Sequence, residues 1–267
     1  MTENSFEVIT TMNREYYDLV GHKMLFSYLT TWPCKLNLYW ENMADAPSLD
    51  GVTTLRNEPI YVFDLFGNEP ECKKFVDRHR KRQDQQDKYE LHRGAVRFSY
   101  KTFTILNGTQ TSDSQYVIWL DADTYTHTPV TFDFLNTLVD PEKHLTYLGR
   151  DDNYSECGFV IYNTHHPHHQ KFMDIWRELY EKDTVFNLPQ WHDSFVFDCI
   201  RLKLEKELRN YENTNLSPWG KGYEHVFVNS ILGDYMDHMK GPRKHKGITS
   251  KEDVTNPERK MDASYWK

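Results

Sequence analysis

The sequence predicts an α/β protein with a mostly parallel central sheet flanked by helices. Short apolar, β-branched runs alternate along the chain with amphipathic or charged stretches of helical length, which is the pattern of strand–helix–strand units. The 267 residues, 38% of them hydrophobic and 15% aromatic, can bury a sizeable core as one large domain. Neither an internal repeat nor a linker rich in Gly, Ser or Pro divides them.

The elements follow in order. "FEVIT", from Phe6 to Thr10, reads as the first strand. "REYYDLVGHKMLFSYLTTW" is a helix: Tyr17, Val20, Met24 and Tyr28 recur at helical spacing, Leu25 widens the stripe, and Pro33 ends it. "KLNLYW" and "PIYVFDL" are the second and third strands, and residues 71–88 form a strongly charged helix or solvated loop. The helix "AVRFSYKTFTIL" leads to the strand "YVIWL"; "HLTYLG" and "CGFVIYNT" add two strands, and "HHQKFMDIWRELYEK" and "DSFVFDCIRLKLEKEL" two helices. After Gly247 the chain is polar and patternless, so the expected division is a domain of residues 1–247 and a tail of residues 248–267.

Bulk properties narrow the function classes. The formal net charge is -8, whereas a chain holding nucleic acid by general electrostatics is basic. Cys34, Cys72, Cys157 and Cys199 are scattered without a C-x-x-C pair, which favours free thiols in a reducing compartment. "MTENSFEVIT" has no basic region followed by an apolar stretch. No run approaches the roughly 20 apolar residues of a membrane helix. The expectation is a soluble, cytoplasmic protein with no membrane contact.

The most informative stretch is "YVIWLDADTYTHTP", Tyr116 to Pro129, where a buried-type strand stops on two aspartates. Ligands of open α/β sheets bind at the carboxyl ends of strands, which is where Asp121 and Asp123 stand. Two hard oxygen donors suit Mg²⁺ or Mn²⁺, and the small Ala122 between them leaves room for a metal-bound substrate. The plainer alternative is a turn begun by Asp123 beside an exposed Asp121.

"WLDADTYTHTPV" resembles the DxD motif of GT-A glycosyltransferases, in particular the glycogenin-like (family 8-like) retaining enzymes, and "HMKGPRK" has their C-terminal H-x-x-G-x-x-K form. The chain is also similar to glycosyltransferase-like proteins of large marine phages. The family resemblance implies a GT-A-like fold and transfer of a hexosyl or pentosyl group from a nucleotide sugar, a UDP-sugar first. It implies Mn²⁺ or Mg²⁺ held by Asp121, Asp123 and His238, with Gly241 and Lys244 at the diphosphate. Thr11, Met12 and Asn13 fall where the family receives the nucleotide base, although Asn13 is equally an ordinary helix N-cap. Arg97 and Lys101, on one helical face, fall where it holds the donor. "SECGFVIYN" resembles a sugar-side strand, which implies sugar contact for Glu156 and Gly158.

"WHDSFVFD" departs from the family's Asp-Gln-Asp: Asp193 matches, while His192 and Trp191 replace the other two. His192 and Asp193 are the catalytic candidates and Trp191 a sugar-stacking one; the departure leaves retention or inversion open. The acceptor is unassigned among a glycan, a protein, a small molecule and a modified DNA base. Two other classes are carried as alternatives, a metal-dependent nucleotidyl or phosphoryl transferase and a non-catalytic nucleotide-sugar-binding module.

Three further segments have readings. His165, His166, His168 and His169 lie together, but at no standard zinc spacing. "RHRKRQ" is flanked by Asp77, Asp84 and Asp87, as a solvated helix face would be. Residues 238–250 are poor in apolar side chains, so they are expected to be mobile until metal and phosphate order them.

Overall fold

The structure is a computed structural model that describes residues 4–85, 93–246 and 249–255. Its strands are β1 (Phe6–Met12), β2 (Leu36–Trp40), β3 (Ile60–Asp64), β4 (Tyr116–Leu120), β5 (Thr124–Thr126), β6 (Leu145–Leu148), β7 (Glu156–Asn163), β8 (Thr214–Asn215) and β9 (Met236–His238). The helices are α1 (Arg14–Tyr16), α2 (His22–Thr31), α3 (Leu65–Asn68), α4 (Pro70–Gln85), α5 (Ala95–Thr111), α6 (Phe132–Thr137), α7 (His169–Glu181), α8 (Asp193–Glu207), α9 (Val226–Asn229) and α10 (Arg243–Lys246).

Among the described residues, seven strands form one sheet in the order β3-β2-β1-β4-β7-β6-β8. β1 pairs parallel with β2 and β4, as do β2 with β3 and β6 with β8; β7 runs antiparallel to both its neighbours. The expected α/β architecture with a mostly parallel sheet is therefore present. Period-two alternation sends Val8 and Ile118 to one face and Ile9, Val117 and Trp119 to the other. The first face is covered by Met24, Leu25 and Tyr28 of α2. The second is covered by Phe75 of α4, Phe103 and Leu106 of α5, Phe172 and Trp176 of α7, and Phe197 of α8. Both faces being covered explains why every residue of β4 is buried and why that strand reads as a continuous apolar run.

Local departures have local causes. The single helix expected before Pro33 is interrupted by a π-helical turn, Tyr17–Gly21. It closes at Thr31, because Trp32 is already extended, at φ -96 and ψ 143, the region a following proline imposes. Residues 71–85 of the charged segment are helical within α4, and residues 86–88 lie outside the described residues.

The element that most affects the site left no pattern in the sequence. β5 and β9 form a separate two-stranded antiparallel ladder in which Thr124 faces His238. This ladder carries the C-terminal histidine to the end of β4. Further along, Ser250 donates its backbone N–H to Asp237 Oδ2 at 2.9 Å and its hydroxyl to the His238 carbonyl at 3.1 Å. Thr249 and Ser250 are buried, as are His238 and Met239. The segment expected to lack burial is thus tied down at both ends, and among its described residues the exposed ones are those around α10.

Candidate active site

The chain leaves β4 through a turn fixed by main-chain bonds. Asp121 N–H donates to the Gly158 carbonyl at 2.9 Å, Thr124 N–H to the Asp121 carbonyl at 3.0 Å, and Met239 N–H to the Asp123 carbonyl at 3.0 Å. This turn, braced by β7 and β9, aims both carboxylates at His238. The imidazole Nε2 lies 3.0 Å from Asp123 Oδ1 and 3.5 Å from Asp121 Oδ2. One donor atom from each of the three side chains falls within 4.8 Å of the others. Two carboxylates and one imidazole are a donor set that Mn²⁺ accepts, and Mg²⁺ through the oxygens. The residues present therefore fit a divalent cation.

Gly158 makes this geometry possible. A Cβ added there would meet His238 Cε1 at 2.6 Å and Nδ1 at 2.7 Å. The absence of a side chain at Gly158 leaves the room that the His238 ring occupies, and Gly158 itself lines the cleft.

Basic side chains surround the acids. Lys244 Nζ is 2.6 Å from Asp123 Oδ2 and 2.7 Å from the Tyr16 hydroxyl. Lys101, buried against the Trp119 ring, donates to Asp121 Oδ1 at 2.8 Å and the Cys157 carbonyl at 2.7 Å, and its Nζ forms an ion pair with Asp193 Oδ2 at 2.7 Å. Lys101 thus links Asp121 to Asp193 from within the cleft lining, and Trp119 adds a second donor to Asp121 Oδ1 at 2.6 Å.

These contacts set the protonation states. Burial would raise the Asp121 carboxyl, but the Lys101 charge and the His238 bond outweigh it and hold it at about 2. Asp123 is also pulled below the usual carboxylate range, its burial offset by His238 and Lys244. Burial would lower His238, yet the two carboxylates push it up to about 9. A metal ion would meet two ionised carboxylates and would displace a proton from the imidazole.

A cleft of about 660 Å³ opens over this cluster. Thr11, Met12 and Asn13 at the end of β1 line one side, with Arg97 and Lys101 of α5. Asp121, Ala122, Asp123, Glu156, Gly158, His192, Asp193, His238, Gly241 and Lys244 line the cleft as well. Gly241 has φ +59, a left-handed conformation that glycine adopts without strain.

Several of these side chains are already engaged. Asn13 caps α1, its Oδ1 accepting from Tyr16 N–H at 2.8 Å, while its Nδ2 donates to Glu41 at 3.1 Å. His192 caps α8, Nδ1 accepting from Phe195 N–H at 3.3 Å, and its Nε2 lies 3.0 Å from Gln190 Oε1. Glu156 holds Arg150 at 2.6 Å and Lys240, and accepts from Gly158 N–H at 3.2 Å. Its carboxylate is committed within the protein instead of lying free for sugar hydroxyls. Trp191 is not among the cleft-lining residues: its indole N–H donates to the Leu188 carbonyl at 2.9 Å and its ring meets Phe186 edge-on at 5.1 Å.

Sequence reasoning passed over Tyr16, Glu41, Arg150, Tyr154 and Lys240, all of which line the cleft. Glu41 was findable, since it follows β2 directly and so stands at a strand's carboxyl end, as Asp121 does. Burial raises its carboxyl to about 7. Away from the cleft, His166 and His169 pack with His144 and Tyr211, and this group is not among the candidate metal clusters found in the described residues.

No family model and no curated protein matches the chain. Among solved structures it is similar to the apo-form glycosyltransferase GlyE of Streptococcus pneumoniae TIGR4, at 12% identity and a TM-score of 0.47, over 79% of this chain and 45% of that one. It thus spans less than half the length of GlyE. It is also similar to mouse xyloside xylosyltransferase 1 in its apo form, at 10% identity, a TM-score of 0.47 and coverage of 79% and 84%. A third is the galactosyltransferase LgtC in complex with donor and acceptor sugar analogs, at 14% identity, a TM-score of 0.43 and coverage of 72% and 69%.

Proposed function

We propose that the protein is a metal-dependent glycosyltransferase that takes a sugar from a nucleotide-sugar donor, a UDP-sugar in the first instance. One observation carries the reading. Asp121 and Asp123 from mid-chain and His238 from far along the sequence present one donor atom each within 4.8 Å in a cleft. Lys244 stands against Asp123 in the same cleft.

On this reading Asp121, Asp123 and His238 hold Mn²⁺ or Mg²⁺, which supplies Lewis-acid neutralisation of the charge that builds on a leaving diphosphate. Lys244 turns from Asp123 to a phosphate oxygen, a charge-assisted contact. Gly241 lets the backbone come close to the phosphates, and Arg97 adds charge from the cleft wall. Thr11, Met12 and Asn13 receive the nucleoside, with Glu41 beside them. Lys101 keeps Asp193 fixed at the N-terminus of α8, where its carboxylate orients the sugar or stabilises a cationic centre.

A nucleotidyl or phosphoryl transferase working with two metals about 4 Å apart needs further carboxylates to hold the second ion. Of the further acids in the cleft, Glu156 is held by Arg150 and Lys240 and Asp193 by Lys101, which favours a single cation. Incubation with Mn²⁺ and a panel of nucleotide sugars tests the reading. Release of nucleoside diphosphate is expected. Pyrophosphate or nucleoside monophosphate as product would place the protein in the transferase class just described, and binding without turnover would make it a module.

A further inference from the structure

Beside the cleft lies a second cavity, of about 490 Å³, within the size range of small-molecule sites. The two adjoin at Arg150, Asn153 and Tyr154, which line both. We propose that this second cavity is the acceptor subsite and that it takes a neutral, hydroxyl-bearing glycan. The assignment rests on the glycosyltransferase reading of the adjoining cleft.

The electrostatics of the walls select the ligand class. Asp198, at the base, accepts from Ser155 N–H and hydroxyl at 2.7 Å each and from Arg201 at 2.9 Å. Arg201 continues to Glu205 at 2.9 Å and lies over the Tyr147 ring at 4.6 Å. These buried charges satisfy one another, and Arg150 is held by Glu156 at 2.6 Å. The lining carries Arg150 and Arg201 against Asp151, Asp152 and Asp198, two positive charges and three negative, on a chain whose formal net charge is -8. A polyanion such as DNA would be repelled. A sugar has no charge to repel, and it presents both C–H faces and hydroxyls.

The walls offer both kinds of partner. On the α8 side stand the Phe195 ring, edge-on to Tyr154 at 5.1 Å, and Leu202, whose side chain is exposed. Facing them are the exposed Asp152 and Asn153 of the loop between β6 and β7, with Asn215 nearby. Apolar surface with a few convergent polar groups is the general make-up of such sites.

In the transfer, the acceptor hydroxyl oxygen bonds to the anomeric carbon of the donor sugar. The bond from that carbon to the diphosphate breaks, and the hydroxyl proton leaves with the nucleoside diphosphate.

Saturation-transfer NMR tests the site, with UDP and Mn²⁺ present. The probes are lactose, maltotriose and N,N′-diacetylchitobiose, with a single-stranded oligodeoxynucleotide as the polyanion. At least one neutral sugar is expected to bind and the oligonucleotide not to. Leu202→Trp, which fills the cavity from an exposed position of α8, should weaken that sugar by roughly tenfold or more and leave UDP affinity unchanged. An independent block needs no mutation at Leu202: Cys199 lines the cavity and is partly exposed, whereas Cys34, Cys72 and Cys157 are buried. Maleimide labelling of Cys199 should remove sugar binding, and Cys199→Ser should be insensitive to the reagent. The proposal is overturned if no sugar in the panel binds, if sugar binding survives both obstructions, or if the oligonucleotide is the ligand they displace. Sugar binding that responds to both obstructions, in a protein that fails to bind UDP and Mn²⁺, would uphold the glycan site and sink the donor reading instead.

Discussion

Gly158 shows how one missing methyl group sets the geometry of the cleft. Gly158→Ala would drive a Cβ into the His238 ring at 2.6 to 2.7 Å, closer than carbon and nitrogen tolerate, and the ring is packed too tightly to yield freely. The expected result is a folded protein with weakened Mn²⁺ binding, read by metal titration alongside circular dichroism. Unaltered metal affinity would remove His238 from the ligand set. Lys244→Ala makes a separate claim: it should weaken nucleoside diphosphate by about 1.5–3 kcal/mol, the worth of a bond to a charged group, and the bare nucleoside hardly at all. Calorimetry with both ligands decides it. At this scale the two aspartates were legible because an apolar run ending on acids is conspicuous, and His238 and Lys244 through the H-x-x-G-x-x-K form. The partners of Lys101, the capping by His192 and the packing of Trp191 were not legible, since each is a contact between residues distant in sequence or a local hydrogen bond that many sequences share.

The long helices α5 and α7 could be read because each carries its period over many residues, and β4 because it is an unbroken apolar run. Three-residue strands cannot show a period, so β5 and β9 emerged only when paired, and with them the anchoring of His238. That anchoring changes the expected behaviour of the C-terminal segment. β9 and residues 249–250 should be protected from hydrogen exchange in the free protein, because they are buried or bonded, while residues 240–246 should gain protection when Mn²⁺ and UDP are added. Equal protection of 240–246 with and without ligand would mean that no closure occurs.

The start of α7 supplies a further test, by pH. His169 Nδ1 lies 3.0 Å from His144 Nε2, and His144 meets the Tyr211 hydroxyl at 2.7 Å, with His166 stacked on it. Burial, then the neighbouring His166, lowers His169 to about 4, and burial drives His144 lower than usual as well. The unfolded chain therefore binds protons that the folded chain refuses between about pH 6.5 and 4, and stability falls as pH drops through that window. The His169 share amounts to about 3 kcal/mol at the acid end. His169→Gln should flatten the fall of Tm with acidification relative to the parent, even though His225, lowered to about 4 by burial, still contributes to both. A parallel fall in the two proteins would contradict a neutral buried His169.

Across the whole molecule, the sheet works as a frame that gathers distant sequence. The ends of β1, β2, β4, β7 and β9 and the first turn of α8 converge on one cleft. The alternation of strands and helices was enough to infer the parallel half of this frame. The antiparallel insertion of β7 was not legible, because pairing direction depends on where the connections run and leaves no mark in local composition. The same limit applies to the cavity beside the cleft, assembled from a loop, a helix and a turn.

The central claim is that Asp121, Asp123 and His238 together hold one divalent cation that nucleoside diphosphate then shares. Electron paramagnetic resonance of Mn²⁺ titrated into the protein with UDP present addresses it directly. One Mn²⁺ should bind per chain, with its signal altered by UDP. Asp123→Asn should abolish that binding while circular dichroism and Tm show the variant still folded. Tight Mn²⁺ binding retained by Asp123→Asn, or none by the parent protein, would contradict the account.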